Sequence, residues 1–369
     1  MKFSCYKNDL TEALQVIIRA VAVKPMTPIL SGIYLKAENS ALELQSNNFS
    51  TGIIVRIPVN AEQEGETVVG GKRLQEFINK MTDETVTFSD EDSGDLLSIK
   101  SGGKNVSLIT MKPEDFPKVK IPETERSFKI ATKALRKLIR KTVFAVAKDD
   151  SRPIFTGCYF EIKGNKMSLV ATNAHRLAID SATLQHNYTD CSFVVPAETL
   201  RGVMFRIDPK DIENYVKIGY ATRYVTFKFD NVFINSRIIE GEFPPYDRVI
   251  PKEFATNVRV DTNDFKEAID FVALMSKETE YHTVKLNFRD NALEISSNSP
   301  DIGDATKSIE ADIRGDEVDI SFNVNYIADV IKVIDTDQVN IELNDRFSPA
   351  KFTEPENENY VYIATPVRS

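Results

Sequence analysis

Apolar residues recur at helical spacing three times along the chain, each time directly after a short segment of alternating apolar and polar residues. The segments are KFSCYKNDLTEALQVIIRAV, SFKIATKALRKLIRKTVFAV and NVRVDTNDFKEAIDFVALM. Their apolar positions are Leu10, Leu14 and Ile17, then Leu135, Leu138 and Ile139, then Phe265, Ile269 and Val272. A period of 2 followed by a period of 3.6 predicts a strand that leads into an amphipathic helix.

A second pattern of strand, helix, turn and strand also occurs three times. It reads VVGGKRLQEFINKMTDETVTFS, VVPAETLRGVMFRIDPKDIENYVKI and DISFNVNYIADVIKVIDTDQVNIEL, and its anchors Val69, Val195 and Phe322 lie about 126 residues apart. Two similar Phe-Pro and Ile-Pro junctions, EDFPKVKIP and GEFPPYDRVIP, separate the copies as ordered linkers. The chain is therefore predicted to be an α+β protein of three similar domains, at 1–120, 127–250 and 255–369.

Charge is distributed unevenly between the predicted elements. The formal net charge is −9, which by itself is not typical of a nucleic-acid-binding protein. Yet the six predicted helices, at 7–24, 71–81, 132–148, 197–210, 263–277 and 324–332, sum to about +9, so the rest sums to about −18. This sorting favours a shared electropositive helix surface, with a set of solvated helix faces as the alternative.

The sequence contains no motif that indicates a catalytic, cofactor or metal site. Cys158 with His175 is a conceivable nucleophile and base, but a lone cysteine in an apolar strand is more typical of a core. Three cysteines without disulfide or metal spacing, a charged N-terminal segment and no long apolar run favour a cytoplasmic protein without a membrane partner. We expect a protein that is not an enzyme and needs neither cofactor nor metal.

One stretch distinguishes the central copy from the other two. It reads ATNAHRLAID (171–180), whereas the equivalent stretches read LQSNNFSTGIIV and ISSNSPDIGDAT, without His-Arg-Leu. A feature that the fold required should recur in all three copies. Its presence in one copy favours a binding site placed on a repeated scaffold, and divergence without function is the alternative.

These motifs, taken in order, resemble the bacterial β sliding clamp family of DNA polymerase III. The resemblance rests on the three domains, ATNAHRLA, GEFPPYDRVIP, TPILSGIYL, FNVNYIADVI and the terminal Pro-x-Arg-x. It implies a non-catalytic processivity factor, a head-to-tail homodimer that closes into a ring around duplex DNA without reading its sequence. Helices would line the hole and sheets the outside, and the protein would be associated with the nucleoid. Closure makes many weak contacts to phosphate sufficient.

The resemblance also implies two sets of site residues. A cleft would receive short peptides of the replicative polymerase, the clamp loader, repair polymerases and mismatch-repair proteins, with apolar anchors in a slot and charges at its rim. The cleft residues would be Arg152, Phe155, Thr172, Ala174, His175, Arg176, Leu177, Pro244, Arg248, Val249, Ile363, Pro366, Val367 and Arg368. The candidates for DNA contact are Lys24, Arg73, Lys80, Arg136, Lys137, Arg140, Arg201 and Arg206.

The sequence departs from the family pattern at several positions of these sites. Ala174 stands where glycine is usual, Thr365 and Ser369 where larger apolar residues are usual, and Pro153 and Ile154 where some members carry aromatic residues. The dimer interface is predicted to bury apolar edges near GGKRLQEFINKM. The rival interpretation is a repeat scaffold that binds proteins without encircling DNA.

Overall fold

Each repeated apolar pattern folds, as predicted, into a strand that runs directly into a helix. The computed structural model describes residues 1–90, 95–149, 151–206, 214–276, 282–299 and 302–367. Within them the α-helices are α1 Lys7–Ile17, α2 Gly71–Lys80, α3 Thr132–Thr142, α4 Ala197–Arg206, α5 Thr262–Ser276 and α6 Val324–Ile331. The mixture of helices and sheets confirms the predicted α+β class.

The strands follow the chain in this order: β1 Lys2–Tyr6, β2 Gly32–Glu38, β3 Ala41–Asn47, β4 Thr51–Pro58, β5 Asn60–Gln63, β6 Gly65–Gly70, β7 Thr85–Asp90, β8 Leu96–Ser101, β9 Lys104–Met111, β10 Arg126–Ala131, β11 Gly157–Thr172, β12 Arg176–Pro196, β13 Tyr215–Ala221, β14 Tyr224–Lys228, β15 Val232–Arg237, β16 Thr256–Asp261, β17 Thr283–Arg289, β18 Ala292–Ser299, β19 Gly303–Arg314, β20 Val318–Asn323, β21 Gln338–Leu343, β22 Ala350–Glu354 and β23 Asn357–Ala364.

Two of the helices end earlier than the sequence predicts. After Ile17 the chain tightens into a 3₁₀ turn, and the Ala22 amide then donates to the Leu30 carbonyl, which turns the chain away. Lys24 consequently lies in an exposed loop with φ of 50°, not on a helix as predicted. The helix α3 ends at Thr142, whose hydroxyl donates to the Leu138 carbonyl one turn earlier.

One compact unit consists of Met1–Lys133 and Glu198–Ile238. Its thirteen strands form one sheet in the order β10-β13-β14-β15-β4-β3-β2-β6-β9-β8-β7-β1-β5. The pairing of β15 with β4, for example Val232 with Val55, joins a strand of the predicted central domain to the sheet of the first. The helices α1 and α2 pack against each other in this unit.

The other compact unit consists of Ala134–Ala197 and Ile239–Ser369. Its ten strands are ordered β11-β12-β23-β22-β21-β16-β19-β18-β17-β20, with α5 packed against α6. Here β12 pairs with β23, so Leu177 lies opposite Ile363. Residues of the predicted central domain are thus divided between the two units, because its strands complete the sheets of both neighbouring copies. The predicted boundaries stay a prediction.

The most basic helix contributes one charge to the interior of the second unit. The Lys141 side chain on α3 has no exposed surface, and its ammonium forms a hydrogen-bonded ion pair with Glu354, whose side chain is 2% exposed. The ammonium also lies 4.6 Å from the Tyr360 ring centroid. The charge of Lys141 was counted with the predicted helix at 132–148 in the electropositive helix surface, and that part of the count was wrong, since a formal count cannot tell a paired interior charge from a solvated one.

The environment of this pair makes a prediction about acid stability. Burial opposes the charged form of Glu354, but hydrogen bonds from Lys141, Asn357 and the Asp335 amide outweigh it and hold the Glu354 pKa below its ordinary 4.5. For Asp335, burial is similarly outweighed by Arg140 and Lys141, so its pKa also lies below the ordinary 3.8. Because the unfolded chain binds these protons first as the pH falls, we expect stability to decline below about pH 4.5.

The variant Lys141→Met tests this expectation. Without the ammonium, the buried Glu354 carboxylate is unpaired at neutral pH, which costs about 3–5 kcal/mol, and is protonated as the medium becomes acidic. Burial raises the pKa of the neighbouring Asp180 carboxyl, which works in the opposite direction; the Lys141 charge lowers that pKa, so its loss in the variant adds to the same convergence toward acid pH. Urea unfolding at pH 7, 5 and 4 should show the difference between the two proteins shrinking toward acid pH; a constant difference would contradict the assignment.

Candidate functional site

The His-Arg stretch forms a tight turn between β11 and β12 that is held by its own side chains. The Asn173 side-chain oxygen accepts hydrogen bonds from the amides of His175 and Arg176, each at 3.0 Å. The Thr172 hydroxyl accepts from the Ala174 amide at 3.1 Å and donates to the Arg176 carbonyl at 2.7 Å. These bonds hold Ala174 at φ of 74°, where a side chain costs about 1–2 kcal/mol and glycine is normally favoured.

Arg176 was predicted to contribute a charge at the rim of the cleft. The structure instead places it inside the protein. The residue is 5% exposed, and its guanidinium forms an ion pair with Asp329 of α6 at 2.8 Å. It also donates to the Phe144 carbonyl at 2.5 Å. The Tyr326 ring centroid lies 4.7 Å from the guanidinium carbon. A buried charge needs such partners, so Arg176 fixes the base of the turn and leaves His175 as the exposed side chain.

The apolar residues predicted for the cleft do come together. Phe155, Leu177 and Ile363 belong to one group of buried side chains, which we call the apolar cluster; its other members are Val170, Ile179, Val194 and Phe243. Phe243 is edge-on to Phe155 with centroids 6.1 Å apart, and stacks on Tyr159 at 4.7 Å. The cluster draws on the hairpin β11–β12, on β23 and on the linker that follows β15.

The C-terminal segment is attached to the same turn. The amide and the hydroxyl of Thr365 both donate to the His175 carbonyl at 2.9 Å, and the Val367 amide donates to the Ser321 carbonyl at 2.8 Å. Pro366 and Val367 are half-buried. Arg368, which was also predicted for the cleft, lies outside the described residues. So does Ser369, one of the departures from the family pattern. Thr365, which replaces a larger apolar residue of the family pattern, thus has a defined role as a hydrogen-bond donor.

The predicted linker residues border the cluster from outside. Pro244 and Arg248 are exposed, and Val249 is 55% exposed. Their neighbour Tyr246 packs on the cluster and donates a hydrogen bond from its hydroxyl to Glu161 at 2.8 Å. The linker therefore presents the exposed apolar side chain of Val249 beside the buried apolar cluster.

A polar groove of about 710 Å³ adjoins the turn. Phe155 lines it and also belongs to the apolar cluster, so the two are continuous. The residues that line the polar groove are Val146, Ala147, Lys148, Asp149, Ser151, Arg152, Phe155, Asn173, Ala174, His175, Arg176, His282, Asn323, Asn325, Tyr326 and Asp329. An apolar cluster beside a polar groove suits an extended peptide with apolar anchors and a polar flank.

The geometry does not support a catalytic pair of Cys158 and His175. Cys158 pairs with Val195 near one end of the hairpin, whereas the turn that carries His175 follows the Thr172–Leu177 pair at the other end. At about 3.3 Å per residue along β11, this places the Cys158 thiol and the His175 ring far beyond contact distance. Among the described residues no three acidic, histidine or cysteine side chains group as metal ligands, and no helix is long and apolar enough to cross a membrane.

The candidates for DNA contact differ in availability. Lys24, Arg73 and Lys80 are exposed, and Arg136 and Lys137 are half-buried on α3. Three are engaged in ion pairs: Arg73 with Glu76 at 2.9 Å, Arg140 with Asp335 at 2.5 Å, and Arg201 with Glu198. The side chain of Arg206 lies outside what the structure describes. The sequence could not distinguish engaged from available cations.

The sequence predictions missed Tyr326 and Asp329, which hold the Arg176 guanidinium. Asp329 is the only charged residue in α6, a short and mostly apolar helix. An isolated acid on such a helix was a usable signal of a buried partner of opposite charge.

Comparison with known proteins gave matches along the whole chain. Residues 1–120, 129–245 and 247–368 match the models of the N-terminal, central and C-terminal domains of the DNA polymerase III beta subunit. The chain is 31% identical to the beta sliding clamp of Bacillus subtilis and 26% identical to that of Vibrio cholerae, with both chains fully covered in each case.

Solved structures give the same result. The DNA polymerase III beta subunit of Thermotoga maritima superposes with a TM-score of 0.93 at 27% identity, covering 100% of this chain and 99% of that one. A sliding clamp of Pseudomonas aeruginosa bound to griselimycin also reaches a TM-score of 0.93 at 27% identity, with full coverage of both chains.

Proposed function

The chain belongs to the family of DNA polymerase III beta subunits, the beta sliding clamps, and we propose that two copies close head to tail into a ring around duplex DNA. Membership makes it a DNA sliding clamp of replication, a non-catalytic processivity factor. A scaffold that does not encircle DNA is not favoured. Our domain boundaries for each copy are 1–120, 127–250 and 255–369.

One surface that supports ring closure lies in the first unit, near the predicted GGKRLQEFINKM stretch. Residues 104–109 of β9 pair with residues 96–101 of β8. Only the last two residues of β9, Thr110 and Met111, pair with β6. Residues 104–109 therefore have one free edge among the described strands. Ile109 is 78% exposed there, and Phe77 on the adjacent α2 is 39% exposed. Lys104 links the two elements by donating to the Lys80 carbonyl at 2.6 Å.

A matching surface lies in the second unit. Residues 303–310 of β19 pair with β18, and only residues 311–314 pair with β16, so the first part of β19 also has a free edge in the described sheet. The helix α5 packs on β19 and exposes Phe271 by 50% and Leu274 by 59%. A free edge with exposed apolar residues is suited to pairing with another chain. Two different surfaces of this kind give the heterologous contact that a head-to-tail ring requires.

DNA would be held by weak contacts from basic side chains of the helices and adjoining loops. Lys24 and Lys80 are exposed, are in no ion pair of the described residues, and are the most available of our candidates. Arg73, Arg140 and Arg201 would contribute less, since each already has a carboxylate partner; Arg136 and Lys137 are half-buried candidates. Contacts of this kind act on phosphate and are independent of sequence.

The cleft around His175 is proposed as the site for partner peptides of the replicative polymerase, the clamp loader, repair polymerases and mismatch-repair proteins. The observation that carries this proposal is the continuity of the apolar cluster with the polar groove across the Thr172–Leu177 turn. Val249 and Pro244 would complete the apolar slot, and Ile363, Pro366 and Val367 would form its other wall. Arg152, Arg248 and His175 would contact the peptide at the rim, where Arg368 is a further candidate.

The variant His175→Ala is expected to weaken binding of a labelled peptide that carries adjacent leucine and phenylalanine anchors. Because His175 is exposed and only its backbone holds the tail, the loss should be about tenfold, with the thermal midpoint and dimer unchanged. Fluorescence anisotropy measures the affinity. Lys166→Ala, an exposed residue on the same hairpin, is the matched control. Equal affinity of the His175 variant and the unmodified protein would remove this residue from the site.

A further inference from the structure

The turn between β3 and β4, in the first unit, repeats the side-chain hydrogen bonds of the turn between β11 and β12. The Asn48 side-chain oxygen accepts from the amides of Ser50 and Thr51, at 3.1 and 2.8 Å. The Asn47 side-chain oxygen accepts from the Phe49 amide at 2.8 Å. In the later turn an asparagine and a threonine accept the equivalent bonds. The two turns therefore have the same backbone course and differ in the side chains that they present.

Phe49 has a backbone conformation that its side chain does not favour. Its φ is 68°, close to the 74° of Ala174 at the equivalent position, and a bulky residue is strained in this left-handed region, where glycine or asparagine fits. The phenyl side chain is also 54% exposed, so packing in a core does not explain the strain. Residues held in such conformations concentrate at binding sites, which makes the exposed ring a candidate contact for a ligand.

Two available cations lie beside this turn. The Arg237 amide donates to the Ser50 carbonyl at 2.9 Å, so Arg237 lies directly across from the turn. The linker runs along the same strand, because the Asn235 side chain donates to the Lys120 carbonyl at 3.1 Å. Arg237 and Lys120 are both exposed, and neither forms an ion pair with a carboxylate of the described residues. We call Phe49, Arg237 and Lys120 the Phe49 patch.

The segments that carry the Phe49 patch contain no acidic residue. There is none in the turn at 45–52, in the linker stretch 117–121 or in the strand end 235–238. The other cation of the linker stretch, Lys118, is paired with Glu66 at 3.2 Å. Acidic residues flank these segments at Glu43, Asp115, Glu123, Asp230 and Glu240. The local positive charge is therefore modest, and a ligand would gain most from the aromatic ring.

We propose that the Phe49 patch binds single-stranded DNA, with one base stacked on the phenyl ring and the adjoining phosphates near Arg237 and Lys120. Aromatic side chains beside basic residues are the usual platform for unpaired bases, and stacking accepts any base. Duplex DNA does not offer this contact, because its base faces are covered within the helix. The inference goes beyond the proposed ring and the proposed peptide cleft, since neither uses this turn.

A tryptophan at the patch provides a local test. The chain contains no tryptophan, so Phe49→Trp introduces a single indole fluorophore. Titration of this full-length variant with a 15-residue oligothymidylate at 20 mM NaCl should quench its emission in a saturable way, because a base stacked on the indole quenches it. A blunt duplex of the same length should quench it far less. Absence of quenching, or equal quenching by the duplex, would overturn the proposal.

The matched control places the same fluorophore on another exposed phenylalanine. Phe347, in the loop after β21, is 57% exposed, and its ring centroid lies 4.6 Å from the Arg346 guanidinium carbon, which already covers it. Phe347→Trp should therefore not be quenched by the oligothymidylate. If the two variants were quenched equally, binding would be non-specific and the assignment to the Phe49 patch would be wrong.

Three further variants separate recognition from a structural role, with affinity measured by anisotropy of a labelled oligothymidylate. Phe49→Ala should weaken binding by about fivefold or more. Arg237→Gln should reduce the slope of log affinity against log salt by about 0.7. Phe49→Gly should lose the same affinity as Phe49→Ala while its thermal midpoint stays equal or rises, because glycine relieves the left-handed strain. A lower midpoint with unchanged affinity would show that the ring serves only the fold.

Discussion

Replacing Ile109 by aspartate is expected to produce a monomer that is not retained on circular DNA. Ile109 is 78% exposed on the free edge of β9, and in the proposed ring this edge meets β19 of a second copy. A carboxylate buried there without a partner costs about 3–5 kcal/mol, which raises the dissociation constant of the dimer by about 100- to 4000-fold. Leu274→Asp, on the opposite surface, should have the same effect.

Two measurements check this expectation. Light scattering gives the mass, and retention is measured after a bacterial clamp loader with ATP places the protein on a nicked plasmid. The unmodified protein should stay on the circle and leave once the plasmid is cut. Ile121→Asp, at an isoleucine that is 61% exposed in the first linker, is the control that should behave like the unmodified protein. A dimeric Ile109 variant would exclude the edge, and retention on linear DNA would exclude the ring.

Removing the Arg176 side chain is expected to lower both stability and peptide binding. Arg176→Ala leaves a cavity beneath the turn, and Asp329 and the Phe144 carbonyl lose their donors. Breaking a buried ion pair of this kind costs about 3–5 kcal/mol, enough to lower a thermal midpoint by several degrees. Arg176→Lys should restore little, because an ammonium cannot reproduce the two directions in which the guanidinium donates.

The comparison with His175→Ala separates the two roles. Scanning calorimetry and anisotropy on both variants should show loss of affinity without loss of stability for His175, and loss of both for Arg176. A double-mutant cycle adds a second criterion: if Arg176 acts through the position of the turn, the two losses in affinity should not be additive. An Arg176→Ala protein with unchanged thermal midpoint would contradict the buried role.

The repeated organisation could be predicted because hydrophobic periodicity reports on burial in each copy. The same pattern predicted the start of all six helices within about one residue, but not the early end of α1, which depends on the Ala22–Leu30 hydrogen bond. The division of the central copy between two sheets was beyond prediction. Pairing of β15 with β4 joins residues almost 180 positions apart, and no local signal specifies such a partner.

In the proposed cleft, the meeting of the apolar residues was predictable and the burial of the charged residues was not. Phe155, Leu177 and Ile363 are apolar residues near strand ends, and resemblance to the family indicated that they meet. Arg176 and Lys141 are charged, and the usual expectation for a charged residue is exposure. Their burial depends on Asp329 and Glu354, which lie about 150 and 210 residues further along the chain. The sequence contains both partners but does not pair them.

The turn at Thr172–Leu177 is held by hydrogen bonds from its own side chains, and this has a consequence for inhibitor design. Since four hydrogen bonds and the Arg176–Asp329 pair already fix this wall, a small molecule that binds here need not reorganise it, and a rigid ligand would lose little affinity to ordering. The enclosed guanidinium offers no anchoring point. A suitable compound would place a hydrophobic ring system against Phe155, which lines the polar groove.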